Sequence, residues 1–430
     1  MIRYFLLTLV GLALSAGSTL AQIEITAPGQ QAIPLAVTRF LPLDGAVRPE
    51  IASEVAGVLQ SDLDLSGIFR LIDPAAFLSD AQKPGLNSTQ VDFGQWRLLG
   101  AEAVIKGAYT VKGDQLTLEA RLFDTTGRRL LTGRRYLGKT SDARRMAHAF
   151  ADEVLKSLTG EAGPFNTRIA YISNKTGHKE LYLMEVDGHE PTRLTDHRSI
   201  VLNPDFSPVG KELIFTSYRA GYPDLYRREI NSGREARLSH RKGLNIAGRY
   251  RQDGREIALT LSQDGNSEIY LIGTDGTLHK RLTNDWGIDV DANWSPRGDA
   301  IAFVSDRQGN PHIFIMDVVG GKVRRLTDAG KYNATPAWSP KGDRIAFSRL
   351  EGGRFDIYTI RPDGSDERRL TFGQGSKEHP RWSPDGRFLV YSSDAGGAKA
   401  IYLMRADGTG SRRISPAGGT SSHPAWSGPW

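Results

Sequence analysis

The sequence predicts two domains: an N-terminal α/β domain, then a six-bladed β-propeller closed by its own C-terminal strand. Three observations carry this reading. From Ile169 to Trp426 the chain repeats every 44 residues without insertion. Each unit reads as about four short strands with no helix-length stretch, the pattern of a propeller blade. The two ends of the repeat are incomplete in complementary ways.

The period is fixed by several markers in one register. Arg193-Leu194-Thr195 returns as Arg237-Leu238-Ser239, Arg281-Leu282-Thr283, Arg325-Leu326-Thr327, Arg369-Leu370-Thr371 and Arg413-Ile414-Ser415. The aromatic series Phe206, Tyr250, Trp294, Trp338, Trp382, Trp426 keeps the same step, as does the apolar series beginning at Ile169. Within a unit, Trp338-Ser339-Pro340-Lys341-Gly342 is a turn, because proline presets its first dihedral and glycine closes it. The run Ile345-Ala346-Phe347 suits a strand buried on both faces. The first unit, at Ile169, has no aromatic strand before it, and the strand around Trp426 has nothing after it. Both defects vanish if that strand completes the first blade, which removes two exposed edges.

Composition sets the address and narrows the chemistry. Met1 to Ala21 has a charged Arg3, an apolar core and a small-residue end, the pattern of a signal peptide. Without another membrane-length stretch or a lipid-accepting cysteine, the mature protein is expected to be exported, soluble and monomeric. The sequence holds no cysteine, which excludes thiol catalysis and sulfur-based zinc sites. A net charge of +6 permits polyanion binding. The basic doublets Lys280-Arg281, Arg324-Arg325, Arg368-Arg369 and Arg412-Arg413, however, fall on the outermost strands, where charge protects edges. Nucleic acid is not an expected partner.

Ahead of the repeat, residues 22–34 read as a flexible arm. Residues 35–160 form the α/β domain: a strand from Leu35 to Phe40, a helix from Pro49 with Ile51, Val55, Val58 and Leu59 on one face, and strands over 103–109, 115–123 and 129–136. A helix after Ser141-Asp142 stops at Gly160. Residues 160–167 are the hinge into the propeller, which takes 161–430.

No catalytic constellation stands out. Metalloprotease, phosphate-loop and nucleophile-elbow motifs are absent, so the chain is not read as an enzyme. His379 and His423 precede proline at equivalent positions and should meet near one mouth of the ring, but no further ligand completes a metal set. The Asp-Gly pairs at 187, 275, 363 and 407 are read as hairpin turns, not calcium loops. No metal or cofactor is expected. What remains is the loop ring from each outer strand to the next inner strand, over 196–203, 240–247, 284–291, 328–335, 372–379 and 416–423. These loops vary most among the repeats, as a recognition surface would. The candidates are Gly243, Leu244, Asn245, Ile246, Ala247, Trp286, Asp289, Val290, Asp291, Ala292, Tyr332, Asn333, Thr335, Glu378, His379 and His423.

The domain order, the junction Gly163-Pro164-Phe165-Asn166-Thr167-Arg168-Ile169 and the six Trp-Ser-Pro-x-Gly-type units resemble the TolB family over the whole chain. The motif is degraded at Asp205–Gly210 and lacks its proline at Arg249–Gly254. The resemblance implies a non-catalytic periplasmic adaptor of the Tol–Pal system, supporting outer-membrane integrity and invagination during cell division. It implies two partners: the lipoprotein Pal at the propeller mouth, and inner-membrane TolA at the arm through Gln22, Ile23, Glu24, Ile25 and Thr26. Other envelope proteins remain open as partners, and membranes are reached only through partners. An exported propeller binding peptidoglycan directly is the alternative. It calls for aromatic platforms and acids repeated in every mouth loop, whereas these loops differ.

Overall fold

A computed structural model describes residues 32–45 and 47–430. The signal-peptide reading and arm residues Gln22, Ile23, Glu24, Ile25 and Thr26 lie outside the described residues.

The first unit is a mixed sheet with helices on it. Strand β1 (Ile33–Val37) starts two residues earlier than the sequence suggests, inside the span read as arm. β2 (Leu41–Pro42), α1 (Pro49–Ser66) and β3 (Phe69–Leu71) follow, then a short α2 (Phe93–Leu98). β4 (Ala103–Lys112), β5 (Gln115–Asp124) and β6 (Arg129–Lys139) form the antiparallel part, and α3 (Ala143–Thr159) closes the unit. The sheet order is β3-β1-β4-β5-β6, with β2 beside β4. Pro49 opens α1, where its missing N–H costs nothing, and Gly67 and Gly160 end α1 and α3 in the left-handed region. The apolar faces of α1 and α3 cover one side of the sheet through Val55, Leu59, Phe150 and Val154. Trp96, Phe93 and Phe123 fill a second core that includes Ala36 and Val104 of the sheet.

Six four-stranded antiparallel sheets follow. The last strand, Ser421–Trp426, pairs with β7 (Arg168–Ser173), which leads to β8 (Glu180–Glu185) and β9 (Thr192–Arg193). The ring therefore closes as the two defective ends require. The second strand of each blade is buried along its length, since it lies between neighbours within the blade and between blades.

The Arg-Leu-Thr triplet is a clasp on the outer edge. In Arg281-Leu282-Thr283 the leucine enters the core, and Thr283 Oγ1 accepts the Ile269 N–H at 2.9 Å. The same hydroxyl donates to Glu268 at 2.6 Å, and Arg281 bonds both Glu268 and the Thr283 carbonyl. Arg325, Arg369 and Arg413 reach the carbonyl two residues on in the same way. The second member of each basic doublet is thus spent inside its blade, while Lys280, Arg324 and Arg368 stay exposed as edge charges.

The Asp-Gly pairs are hairpin turns whose carboxylates accept a turn N–H: Asp275 that of Thr277, and Asp407 that of Thr409. Gly276 has φ +90°, and a Cβ there would lie 2.3 Å from the Leu238 carbonyl oxygen of the preceding blade. Only glycine permits both the dihedral and that approach.

The segment after Gly160 is pinned where the sequence suggests a hinge. Asp152 accepts the N–H groups of Phe165 and Asn166 at 2.8 and 2.9 Å, and Asn166 Nδ2 bonds the Trp430 carbonyl. Phe165 is buried beside Phe388.

Candidate functional site

Strand direction divides the propeller into two faces. Inner strands all run toward the Trp-Ser-Pro turns, so those turns and the Asp-Gly turns share one face. The outer-to-inner connections share the other. The α/β unit sits on the turn face: Arg144 of α3 meets Glu185 at 2.7 Å and also bonds Asp187, Arg405 donates to Leu65 at the end of α1, and Lys341 and Arg387 meet Glu161. The connection mouth lies on the opposite face.

That mouth carries large exposed apolar side chains. Trp286 is 76% exposed, Tyr222 72% and Phe372 67%, with Ile200, Ile288 and Tyr332 also exposed. Of these, the sequence reading put only Trp286 and Tyr332 among its site residues. Ile200 and Phe372 lie in connections it had already delimited. Tyr222 belongs to the loop between second and third strands, which antiparallel order brings to the same end.

The other candidates separate into three layers. Gly243 is exposed, and Leu244, Ile246, Val290 and Glu378 are half-buried at the mouth. Asn245, Asp289, Ala292 and Asn333 are buried and support the mouth from behind. Asn245 accepts from Ser239 Oγ and the Arg241 N–H and donates to the Arg241 carbonyl, so it shapes its loop. Asn333 does the same between Ala329 and Arg349, and Asp289 pairs with Arg307 at 2.5 Å. A polar side chain opening a strand beneath a turn-like loop satisfies backbone groups that the ladder cannot reach.

The third layer lines the channel. Every inner strand shifts register at the same place, and the extra residue there has positive φ: Asn203 51°, Ala247 54°, Asp291 56°, Thr335 53°, His379 59° and His423 49°. A bulge re-aims its side chain, and positive φ is costly for residues such as Thr335, so the ring is a built feature. Proline follows at 204, 336, 380 and 424, where the broken ladder needs no N–H. His379 and His423 meet with ring centroids 4.0 Å apart. Burial first, then the adjacent imidazole and nearby cations, push His379 well down. Burial with Lys179, Arg381 and other cations takes His423 down to about 3, leaving both neutral at physiological pH. Their Nδ1 atoms meet Ser392 and Ser422 hydroxyls. Asn203 completes this ring and was missed from sequence, as were Asp205, Arg249 and Arg381 two residues further along.

Fold and mouth together define a two-domain β-propeller protein whose free face is an apolar rim around a polar channel. Family comparison agrees. Residues 155–429 match the TolB beta propeller domain and residues 21–131 the TolB amino-terminal domain; the chain belongs to the TolB family. It is 65% identical over 210 residues to the Tol-Pal system protein TolB of Syntrophotalea carbinolica, covering 49% of each chain. To the protein of the same name from Geobacter sulfurreducens it is 50% identical over 189 residues, covering 44% of this chain and 43% of that one. The chain thus spans about half the length of the curated relatives it matches. The crystal structure of TolB from Acinetobacter baumannii superposes with a TM-score of 0.81 at 27% identity, covering 93% of this chain and 97% of that one.

Proposed function

We propose that this protein is the non-catalytic, periplasmic protein-binding component of a Tol–Pal system. In this reading the connection mouth receives the lipoprotein Pal, and the arm of residues 22–34 engages TolA. The adaptor so formed supports outer-membrane integrity and invagination during division. The observation that carries the reading is the apolar rim of Ile200, Tyr222, Trp286, Ile288, Tyr332 and Phe372 on the face opposite the α/β unit. Aromatic anchors around a polar centre are the residues that dominate protein interfaces. The connections differ from blade to blade, which suits one asymmetric protein partner rather than a repeating glycan.

A pull-down from solubilised envelope tests this. The chain from Gln22 to Trp430 is expected to retain a peptidoglycan-anchored lipoprotein. Trp286→Asp with Phe372→Asp, both fully folded because both sites face solvent, is expected to lose it by at least about tenfold. Equal retention by both samples would remove the mouth as the interface. Binding of purified peptidoglycan with no protein retained would replace the adaptor with a glycan-binding role.

A further inference from the structure

At the turn-face end of the inner strands lies a cavity of about 370 Å³, within the range that holds small ligands. The six aromatic residues that end the inner strands form its wall, and Asp205, Arg249, Asn293 and Arg381 point into it. These four occupy one position in four of the six inner strands, two residues past the bulge; Ala337 and Ala425 complete the ring.

The acidic and amide members are committed to the wall. The Tyr250 N–H donates to Asp205 at 2.9 Å and the Trp338 N–H to Asn293 at 2.7 Å. In alternation, Trp294 Nε1 donates to the Arg249 carbonyl and Trp382 Nε1 to the Ala337 carbonyl. The two guanidinium groups have no such counterpart. Arg249 is 5% exposed; its Nη1 donates to the Gly248 carbonyl at 3.0 Å, with the Asn203 and Pro204 carbonyls at 3.4 Å. Its Nε and Nη2 meet no acceptor among the described residues. Arg381 Nη1 donates to the Pro380 carbonyl at 2.8 Å, while its Nε is buried with no partner. No carboxylate lies within 4.0 Å of either guanidinium among the described residues.

Arg249 and Arg381 are three repeats apart in a ring of six, so they face one another across the channel. Burial, and then the opposing Arg249, lower the Arg381 guanidinium to about 9, so it stays charged at neutral pH. Burial raises the carboxyls of Asp205 and Asp291 and the facing arginines lower them, yet neither acid forms an ion pair with Arg249 or Arg381. Two like charges, one buried and one half-buried, with unused donors are costly until an anion bridges them. The guanidinium fork matches carboxylate and phosphate oxygens in geometry and charge.

We propose that Arg249 and Arg381 clamp a small oxyanion, a carboxylate or phosphate group, inside the turn-face end of the channel. This site is distinct from the connection mouth and stands whether or not a protein partner binds there.

Calorimetric titration of the chain from Gln22 to Trp430 in low-salt Tris buffer tests it. The probes are inorganic phosphate, acetyl-alanyl-alanine and the C-terminal amide of that dipeptide. Phosphate, the free acid or both are expected to bind and the amide is not; which anion binds separates a free phosphate from a peptide carboxyl end. Arg249→Gln and Arg381→Gln are each expected to weaken binding by at least about tenfold, the loss of one charged hydrogen-bond set. Asp291→Asn, which suits the left-handed backbone at that position, is expected to tighten it. The proposal fails if neither anion binds at millimolar concentration, if the amide binds as well as the acid, or if folded arginine variants bind unchanged. Should the arginine variants not fold, the amide control and Asp291→Asn decide it: unchanged affinity in Asp291→Asn counts against the clamp.

Discussion

At the residue scale, one buried ionisable cluster ties the α/β unit to the propeller. His148 of α3 lies 2.7 Å from Asp62 of α1 and 3.5 Å from Glu185 of β8, and Glu185 is held by Arg144 and Arg168. His148, Glu185 and Asp187 have the ligand types of a metal site, but the Arg144 guanidinium already bonds both carboxylates. Burial opposes a charge on His148, yet the Asp62 carboxylate and Glu185 outweigh it and push the imidazole up to about 10. A raised folded-state value stabilises fully below the unfolded pKa and is lost as pH rises through the folded one. Stability is therefore expected to decline between about pH 6.5 and 10, by on the order of a few kcal/mol. His148→Asn is expected to be less stable at pH 7 by roughly 3 kcal/mol, since it leaves a buried carboxylate without its cation, and to lose that slope. Urea unfolding across this pH range reads both; an unchanged slope would mean the imidazole is neutral.

At the element scale, the repeated triplet works as a hydrogen-bonded clasp. Thr283 satisfies a strand N–H and a buried carboxylate at once, so Thr283→Val leaves both short of a partner at nearly constant volume. The expected cost is roughly 1–3 kcal/mol, with Thr283→Ser recovering most of it, measured by thermal or denaturant unfolding. Equal losses in both variants would point to methyl packing instead. The bulge ring shows the opposite balance. Its positive dihedrals cost stability and, in return, turn six side chains of five kinds toward one axis. The recurring Pro after four of the bulges was visible in the sequence; the dihedral of the preceding residue was not, because it comes from strand pairing rather than from residue type.

At the scale of the whole molecule, the propeller holds itself closed through its last strand. Ser421–Trp426 pairs with β7, Trp426 Nε1 bonds Thr167, the Arg168 N–H bonds Ser427, and Asn166 reaches the Trp430 carbonyl. These contacts also anchor the segment that joins the α/β unit, so ring closure and domain docking share residues. A chain ending at Thr420 is expected to leave β7 with an open edge and to lose cooperative unfolding and monodispersity, because an unpaired central strand recruits other chains. Gel filtration with far-UV circular dichroism checks it. A monomeric, cooperatively folded truncate would show that five complete blades suffice.

The sequence by itself determined the blade number, the closure by the C-terminal strand and the helices around Pro49 and Ser141. Each rests on local periodicity or on a cap, and a 44-residue repeat keeps that signal in register. It also located the connection loops, because they vary most among the repeats. Tertiary structure alone decided which loop residues face solvent: Asn245 and Asn333 turn inward to satisfy backbone groups and Asp289 to pair with Arg307, while Tyr222 and Phe372 are left outside. It alone set Arg249 and Arg381 opposite one another, since residues three repeats apart face each other only once a ring has closed. It alone pinned the interdomain segment, through bonds from Asp152 and Trp430 that no local pattern encodes.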